Sequence, residues 1–289
     1  MLCFKRISLA TVACGWLAAS AARSAPVIIV HDTFTAVNET SLSSHAPDTN
    51  LTGGTYVNGN SPFKIGGTAN AGTVSPVSNV AVVGNDGSWA ISLASAGPYT
   101  KPSYFTIFAD LDLNGMVSDP GSPDAPTEAG IIRGITLGFF TDASTGTNLF
   151  NQRRAIAGVT YHDSGKLLLV VPDIANNQST VIDAVSTDSL ANPILTTGTH
   201  RLSYDVNTMT GDVSNVLWDG VLVNLNVPTT VFTDAATAYA GHYAASGLGN
   251  TWGTLDNFTV QTPEPSSLCL MLVGFAAFYA QARKRTRHC

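Results

Sequence analysis

The run Asp110-x-Asp112-x-Asn114-Gly115 sets three oxygen-bearing side chains on alternate positions ahead of a glycine. That is the spacing of the first half of a calcium loop, where alternate side chains turn inward and glycine permits the sharp bend. The twelfth position is Gly121 where a bidentate glutamate is needed, so Asp119, with Asp124 behind it, would have to close the site. Asp110, Asp112, Asn114 and Asp119 are therefore the calcium candidates, and calcium is the one cofactor the chain points to, in a stabilising role. The competing and preferred reading is an Asx turn, with Asp and Asn bonding nearby backbone amides. Hydrolytic chemistry finds less support. A glycosidase needs two carboxylates flanking one bond, yet the body holds only Glu39 and Glu128, both in expected loops, and no Glu-x-Asp-x-Glu. Asp110 and Asp112 share a strand face and are the available substitute. There is no Gly-x-Ser-x-Gly elbow and no His-Glu-x-x-His. His31, His45, His162, His200 and His242 are scattered without ligand spacing. Gly53-Gly54 and Gly66-Gly67 lack the Lys-Ser/Thr of a phosphate loop. Trp89, Trp218 and Trp252 are candidate stacking platforms for sugar rings, although core packing is the favoured reading for each. No catalytic residue is assigned, and a non-enzymatic role is expected.

Composition narrows the setting. The chain has 289 residues, 12% of them charged, and its four cysteines stand at 3, 14, 269 and 289. Between Arg23 and Thr262 there is none, which excludes a disulfide scaffold, a zinc finger or a cysteine nucleophile in the body. Residues 26–262 carry seven basic against nineteen acidic side chains, a balance of −12 hidden inside the overall −6. Such a surface repels phosphate backbones, so nucleic acid is excluded as a partner.

Both ends look like addresses. Lys5 and Arg6 precede the apolar run Ile7 to Ala19 and the small residues Ser20, Ala22 and Ser24, the pattern of a secretory signal peptide over 1–24 cut by signal peptidase. An uncleaved anchor is the alternative. At the other end Pro263-Glu264-Pro265 is followed by the apolar segment 266–282 and by Arg283-Lys284-Arg285-Thr286-Arg287. This mostly apolar stretch of seventeen residues reaches the lower limit for a transmembrane helix, and the basic cluster would stay cytoplasmic. This order resembles the PEP-CTERM sorting signal of bacterial proteins, over 263–289. The resemblance implies that an exosortase-like membrane enzyme recognises Pro263, Glu264 and Pro265. It also implies an exported protein, tethered by its C-terminal helix before reaching the cell surface or matrix. Thr262 stands where that family often has valine. An ordinary membrane anchor is the alternative.

Between the ends, period-two patterns read as strands: 88–93 after an Asp86-Gly87 turn, 104–111, 131–140, 155–161, 166–171, 200–206, 213–218, 221–227, 237–244 and 254–260. Asp219-Gly220 between apolar runs is the clearest hairpin signal. No segment carries a helical stripe. The expectation is an all-β, antiparallel two-sheet sandwich over 26–262, with 38–62 and 116–130 as long loops. Phe105–Leu111, 135–140, 200–205, Leu217-Trp218-Asp219-Gly220 and 255–260 resemble concanavalin A-like, laminin-G-like jelly rolls, a resemblance that implies Val27–Phe34 as the first strand, pairing near the last. The combined expectation is an exported cell-surface or matrix protein whose jelly roll binds glycan or packs in exopolysaccharide. A glycan-active hydrolase or lyase and a purely structural adhesin are the alternatives.

Overall fold

Alternating apolar and polar side chains drive the body into extended strands. The computed structural model describes residues 25–36, 40–58, 64–65, 81–83, 86–113, 134–141, 156–173, 178–186, 198–225, 227–245 and 252–262. In chain order these form β1 (Ile28–Asp32), β2 (Thr40–Ser41), β3 (Thr49–Asn50), β4 (Tyr56–Asn58), β5 (Lys64–Ile65), β6 (Ala81–Val83), β7 (Asp86–Ser92) and β8 (Tyr104–Asp112). There follow β9 (Gly134–Phe140), β10 (Ile156–His162), β11 (Lys166–Asp173), β12 (Gln178–Ser186), β13 (Thr199–Asn207), β14 (Asp212–Trp218), β15 (Val221–Leu222), β16 (Tyr239–Ala245) and β17 (Trp252–Gln261). The one helical element among the described residues is a 3-10 turn at Leu42–Ser44.

Two antiparallel sheets result. The larger runs β15-β14-β13-β8-β17-β6-β5-β2, with β1 and then β3 also built out from β17; the smaller runs β12-β11-β10-β9-β16-β7-β4. β1 pairs with β17, joining the first strand to the last. This is the expected all-β jelly-roll sandwich. Period-two alternation sends Phe105, Ile107, Ala109 and Leu111 of β8 into the core with Leu202, Tyr204 and Val206 of β13. They meet Ile135, Leu137 and Phe139 of β9 and Ala157, Val159 and Tyr161 of β10. Tyr204, fully buried, donates its hydroxyl across the gap to the Leu137 carbonyl at 2.7 Å, so the two sheets are joined by a satisfied polar bond.

The two outer faces differ, and this decides where a site can be. Every residue of β9 and β10 is buried, on both faces. On the outer side of the smaller sheet Phe140, Ile156, Ala90 and Tyr243 make one apolar cluster and Leu168 and Val170 another. Gly241, Gly138 and Gly158 stand side by side across this face. A Cβ at Gly241 would meet the Trp89 carbonyl oxygen at 2.0 Å, so no larger residue fits. The larger sheet is different: along β8 Thr106, Phe108, Asp110 and Asp112 are partly exposed and Tyr104 is exposed.

Turn chemistry behaves as expected at Asp219-Gly220, where both residues have positive φ (50° and 78°), the requirement of a type I′ hairpin. Elsewhere the pattern misleads. Asp86 and Gly87 open β7 and do not form a turn. Of the strand expected over 221–227, Val221–Leu222 pair with β14 and the Val223 N–H still donates to the Val216 carbonyl at 2.8 Å; beyond it Leu225 and Val227 donate to the carbonyls two residues back, which coils the chain tightly. The loop expected over 38–62 contains β2, β3 and β4, and β12 lies in a stretch assigned no structure. The loop over 116–130, Glu39, Glu128 and Gly66-Gly67 lie outside the described residues.

One tie outside the sheets matters for stability. Lys101, with its side chain 8% exposed, donates Nζ to the carbonyls of Asp234 (3.0 Å) and Thr237 (2.7 Å) and to Thr237 Oγ1 (2.8 Å). Burial lowers its pKa, and the neighbouring Asp234 carboxylate opposes that shift. Lys101→Met keeps the stem but strands these acceptors, and should cost about 2 kcal/mol in urea unfolding.

Candidate functional site

β8 is the spine of the open face, and register brings its polar side chains against those of its neighbours. Asp110 stands opposite Arg201 of β13 on one side and Asp256 of β17 on the other. Arg201 grips Asp110 with two parallel bonds, Nε to Oδ1 at 2.6 Å and Nη2 to Oδ2 at 2.8 Å, the fork geometry of a charge-assisted pair. Asn257 Nδ2 donates to the same Oδ2 at 2.8 Å. A bulge in β17 between Asp256 and Thr259, with Asn257 at φ 51°, aims that amide at Asp110. The guanidinium also lies 5.1 Å from the centroid of the Phe108 ring, one position along the same face. Next to it His31 Nδ1 is 2.9 Å from Thr259 Oγ1. Toward the other end of the strand Asp205 accepts from Tyr104 Oη (2.9 Å), Thr106 Oγ1 (2.5 Å) and Asn215 Nδ2 (2.8 Å).

The two facing carboxylates are not equivalent. Asp110 is held by a guanidinium and an amide. Asp256 has its pKa raised by burial, against the Asn257 backbone N–H that it accepts at 2.6 Å, and the nearby Asp110 charge raises it further. Directly opposed residues on one face lie about 4.5–5.5 Å apart at Cβ. The result is an array of hydrogen-bonded amide, carboxylate and guanidinium groups beside a partly buried phenyl ring. Such an array can exchange hydrogen bonds with ring hydroxyls while the phenyl offers an apolar surface.

The residues singled out by sequence fall in different places. Asp110 and Asp112 share the open face, as their spacing implies, while Asn114 and Asp119 lie outside the described residues. Among the described residues no group of three or more His, Cys, Asp or Glu side chains could hold a metal ion. Trp89 and Trp218 are in the core: Trp89 packs on Phe34, Tyr56, His242 and Phe258, and Trp218 is stacked between Tyr161 and His200. Neither ring presents a face to solvent. Trp252 opens β17, and its side chain is outside the described residues. Arg201, Asn257, Asp256 and Phe108 were not singled out. Arg201 and Asn257 stand 91 and 147 residues from Asp110, and only the pairing of β8 with β13 and β17 brings them together.

A buried polar knot lies at the end of β1. Asp32, fully buried, accepts from Tyr56 Oη (2.6 Å), His45 Nε2 (3.0 Å) and the Phe34 N–H (2.6 Å). Desolvation raises the Asp32 pKa, and these three bonds pull against that shift. The knot joins β1 of the larger sheet to β4 of the smaller one.

The model of the PEP-CTERM protein-sorting motif matches residues 261–285. This chain carries a PEP-CTERM sorting motif. It begins at the last residue of β17 and takes in Pro263, Glu264 and Pro265, which lie outside the described residues. A PEP-CTERM motif marks its chain for export, membrane-anchored sorting and processing by an exosortase. Among the described residues no helix is long and apolar enough to cross a membrane, and the apolar segment 266–282 lies outside them. No curated protein sequence matches the chain. Among solved structures, the binding domain of botulinum neurotoxin DC in complex with rat synaptotagmin II is similar at 11% identity and TM-score 0.44, over 84% of this chain and 52% of that one. The endo-1,3-beta-glucanase from Streptomyces sioyaensis is similar at 13% identity and TM-score 0.47, over 85% of this chain and 99% of that one. The PEP-CTERM chain thus spans about half the length of the toxin domain.

Proposed function

We propose that this PEP-CTERM chain is exported, tethered through its apolar tail until processed, and then placed at the cell surface or in exopolysaccharide matrix. There its jelly-roll body acts as a non-enzymatic module that binds neutral glycan on the open face of the larger sheet. The observation that supports this reading is the Asp110–Arg201–Asn257 array beside Phe108, with Arg201 half exposed and Asp110 within reach of solvent. Sugar hydroxyls are met by planar groups that donate and accept in one plane. The −12 balance of residues 26–262 disfavours anionic polymers. In this reading Arg201 neutralises Asp110, and calcium is not needed for binding. Retardation of the full chain in native gels cast with neutral soluble polysaccharides tests it. Binding should weaken about tenfold in Arg201→Ala, the worth of about 1.4 kcal/mol, and should be unchanged by EDTA. Equal retardation of Arg201→Ala would remove the array from the site.

A second reading has one observation behind it. Asp110 and Asp256 face each other, with Asp256 raised and Asp110 paired, which is how an acid and a base are set apart in a glycoside hydrolase. Release of reducing ends from polysaccharide by the wild type, lost in Asp256→Asn, would favour it.

A further inference from the structure

Among the described residues seven large hydrophobic side chains are exposed: Val27, Ile28, Leu51, Tyr104, Ile182, Met209 and Leu222. Four of them gather at one end of the larger sheet. Ile28 stands directly opposite Gln261 at the close of β17. Leu51 donates its N–H to Ile29 at 2.9 Å on the neighbouring strand. Gln261 is paired on its other side with Thr106, two residues inside Tyr104, and Tyr104 pairs with Asn207 at the end of β13. Met209 sits in the turn that follows, which is bonded to the start of β8 through the Thr208 N–H and the Ser103 carbonyl at 2.8 Å. The end that presents these side chains is the end from which β17 runs into the sorting motif.

Chain length then limits where this end can be. From Thr262 to Ser266, where the apolar segment starts, are four residues, a reach of about 14 Å when fully extended. The headgroup layer the chain must cross is itself roughly 6 Å thick. A body tethered through that segment cannot stand well clear of the bilayer, and the end it turns toward the lipid is the apolar one.

We infer that the tethered body docks on the membrane surface through Ile28, Leu51, Tyr104 and Met209, seating these side chains among lipid headgroups and upper acyl chains. The inference rests on the tether in the proposed function. The lipid surface it fits is zwitterionic. The charged groups on these strand ends are Asp205 and Asp212, which accept from Tyr104, Thr106 and Asn215 and from the Thr229 N–H. The nearby Lys101 is turned to Asp234 and Thr237. No described cation is offered there to anionic headgroups.

Full-length Met209→Trp and Leu222→Trp chains, both changed at exposed positions (82% and 58%), provide the test. Leu222 lies on β15 opposite Leu217, toward the far end of β14 from the turn that carries Met209. Each chain is reconstituted into phosphatidylcholine vesicles with brominated or ordinary acyl chains, and wild-type emission is subtracted. Bromine should quench the Met209→Trp signal at least twofold and leave that of Leu222→Trp unchanged. Equal quenching of both, or none of Met209→Trp in a chain that floats with the vesicles, overturns docking while the tether stands. A chain that does not float overturns the tether and docking together. A lipid-free Met209→Trp emission that shifts with protein concentration, with no bromine quenching, would assign the patch to a second copy and also overturn the inference.

Discussion

Lowering the pH from 7 to 4 is expected to cost the sandwich about 3 kcal/mol through one residue, His242. His242 is fully buried on the core side of β16, stacked on Trp89 with ring centroids 6.0 Å apart. Burial pushes its pKa from 6.5 down to about 3. The unfolded chain takes a proton near pH 6.5 while the folded chain refuses it until about pH 3. The neutral ring therefore contributes its full stability above pH 6.5, and that contribution drains away as pH falls toward 3. Asp32 and Asp256 act in the opposite sense. Their folded pKa values lie above the usual 3.8, so they bind protons first in the folded state and add stability as pH falls through that window. Urea midpoints at pH 7, 5.5 and 4 should drop steeply for the wild type and stay nearly flat for His242→Phe, which keeps the ring and cannot be protonated. Parallel slopes in the two proteins would show that His242 is not the acid-sensitive group.

Asp32→Ala is expected to destabilise the body by about 4 kcal/mol, because it removes the acceptor of three buried donors at once. Tyr56 Oη, His45 Nε2 and the Phe34 N–H all converge on this carboxylate. The aromatic rings around it, His45 stacked on Tyr56 with Phe34 alongside, close the site to water. Asp32→Asn should lose less than half as much. Its carbonyl oxygen can still accept from Phe34 and His45, its amide can donate to the Tyr56 hydroxyl, and no charge is buried. Calorimetric melting of the three proteins distinguishes these outcomes, and an alanine variant as stable as the wild type would show that the knot does not hold the sheets together.

The fold was legible where its physics is local. β8, β9, β10, β13, β14 and β17 carry enough period-two alternation, and β11 a long enough apolar run, to be placed within a few residues, and Asp219-Gly220 announced its turn because only positive φ closes that hairpin. β2, β3, β5 and β6 escaped because two or three residues have no period to read. β12 escaped because Gln178-Ser179-Thr180 and Asp183 break the apolar rhythm of an edge strand, which needs only one covered face. The run over 221–227 reads as a strand because Val221, Val223, Leu225 and Val227 alternate, but the ladder to β14 ends at the Val223 N–H and the buried Leu225 lies in a tight coil. At the candidate site the sequence pointed to Asp110 through a calcium spacing, whereas the structure pairs Asp110 with Arg201. That partner belongs to a strand pairing across 91 residues, and no local pattern encodes it. The tryptophans show the converse: their type suits sugar stacking, but their neighbours on β7 and β14 place Trp89 and Trp218 inside.

The claim that the open face of the larger sheet is a glycan-binding surface is tested most directly by titrating the full chain, wild type and Asp110→Ala, with a panel of neutral polysaccharides in a calorimeter. Asp110 anchors both Arg201 and Asn257, so its loss should scatter the array while leaving the core alone. The account predicts saturable heat with at least one neutral polymer, reduced about tenfold or more in affinity by Asp110→Ala in a chain that still unfolds cooperatively. Absence of heat across the panel, or equal affinity in the two proteins, would contradict it.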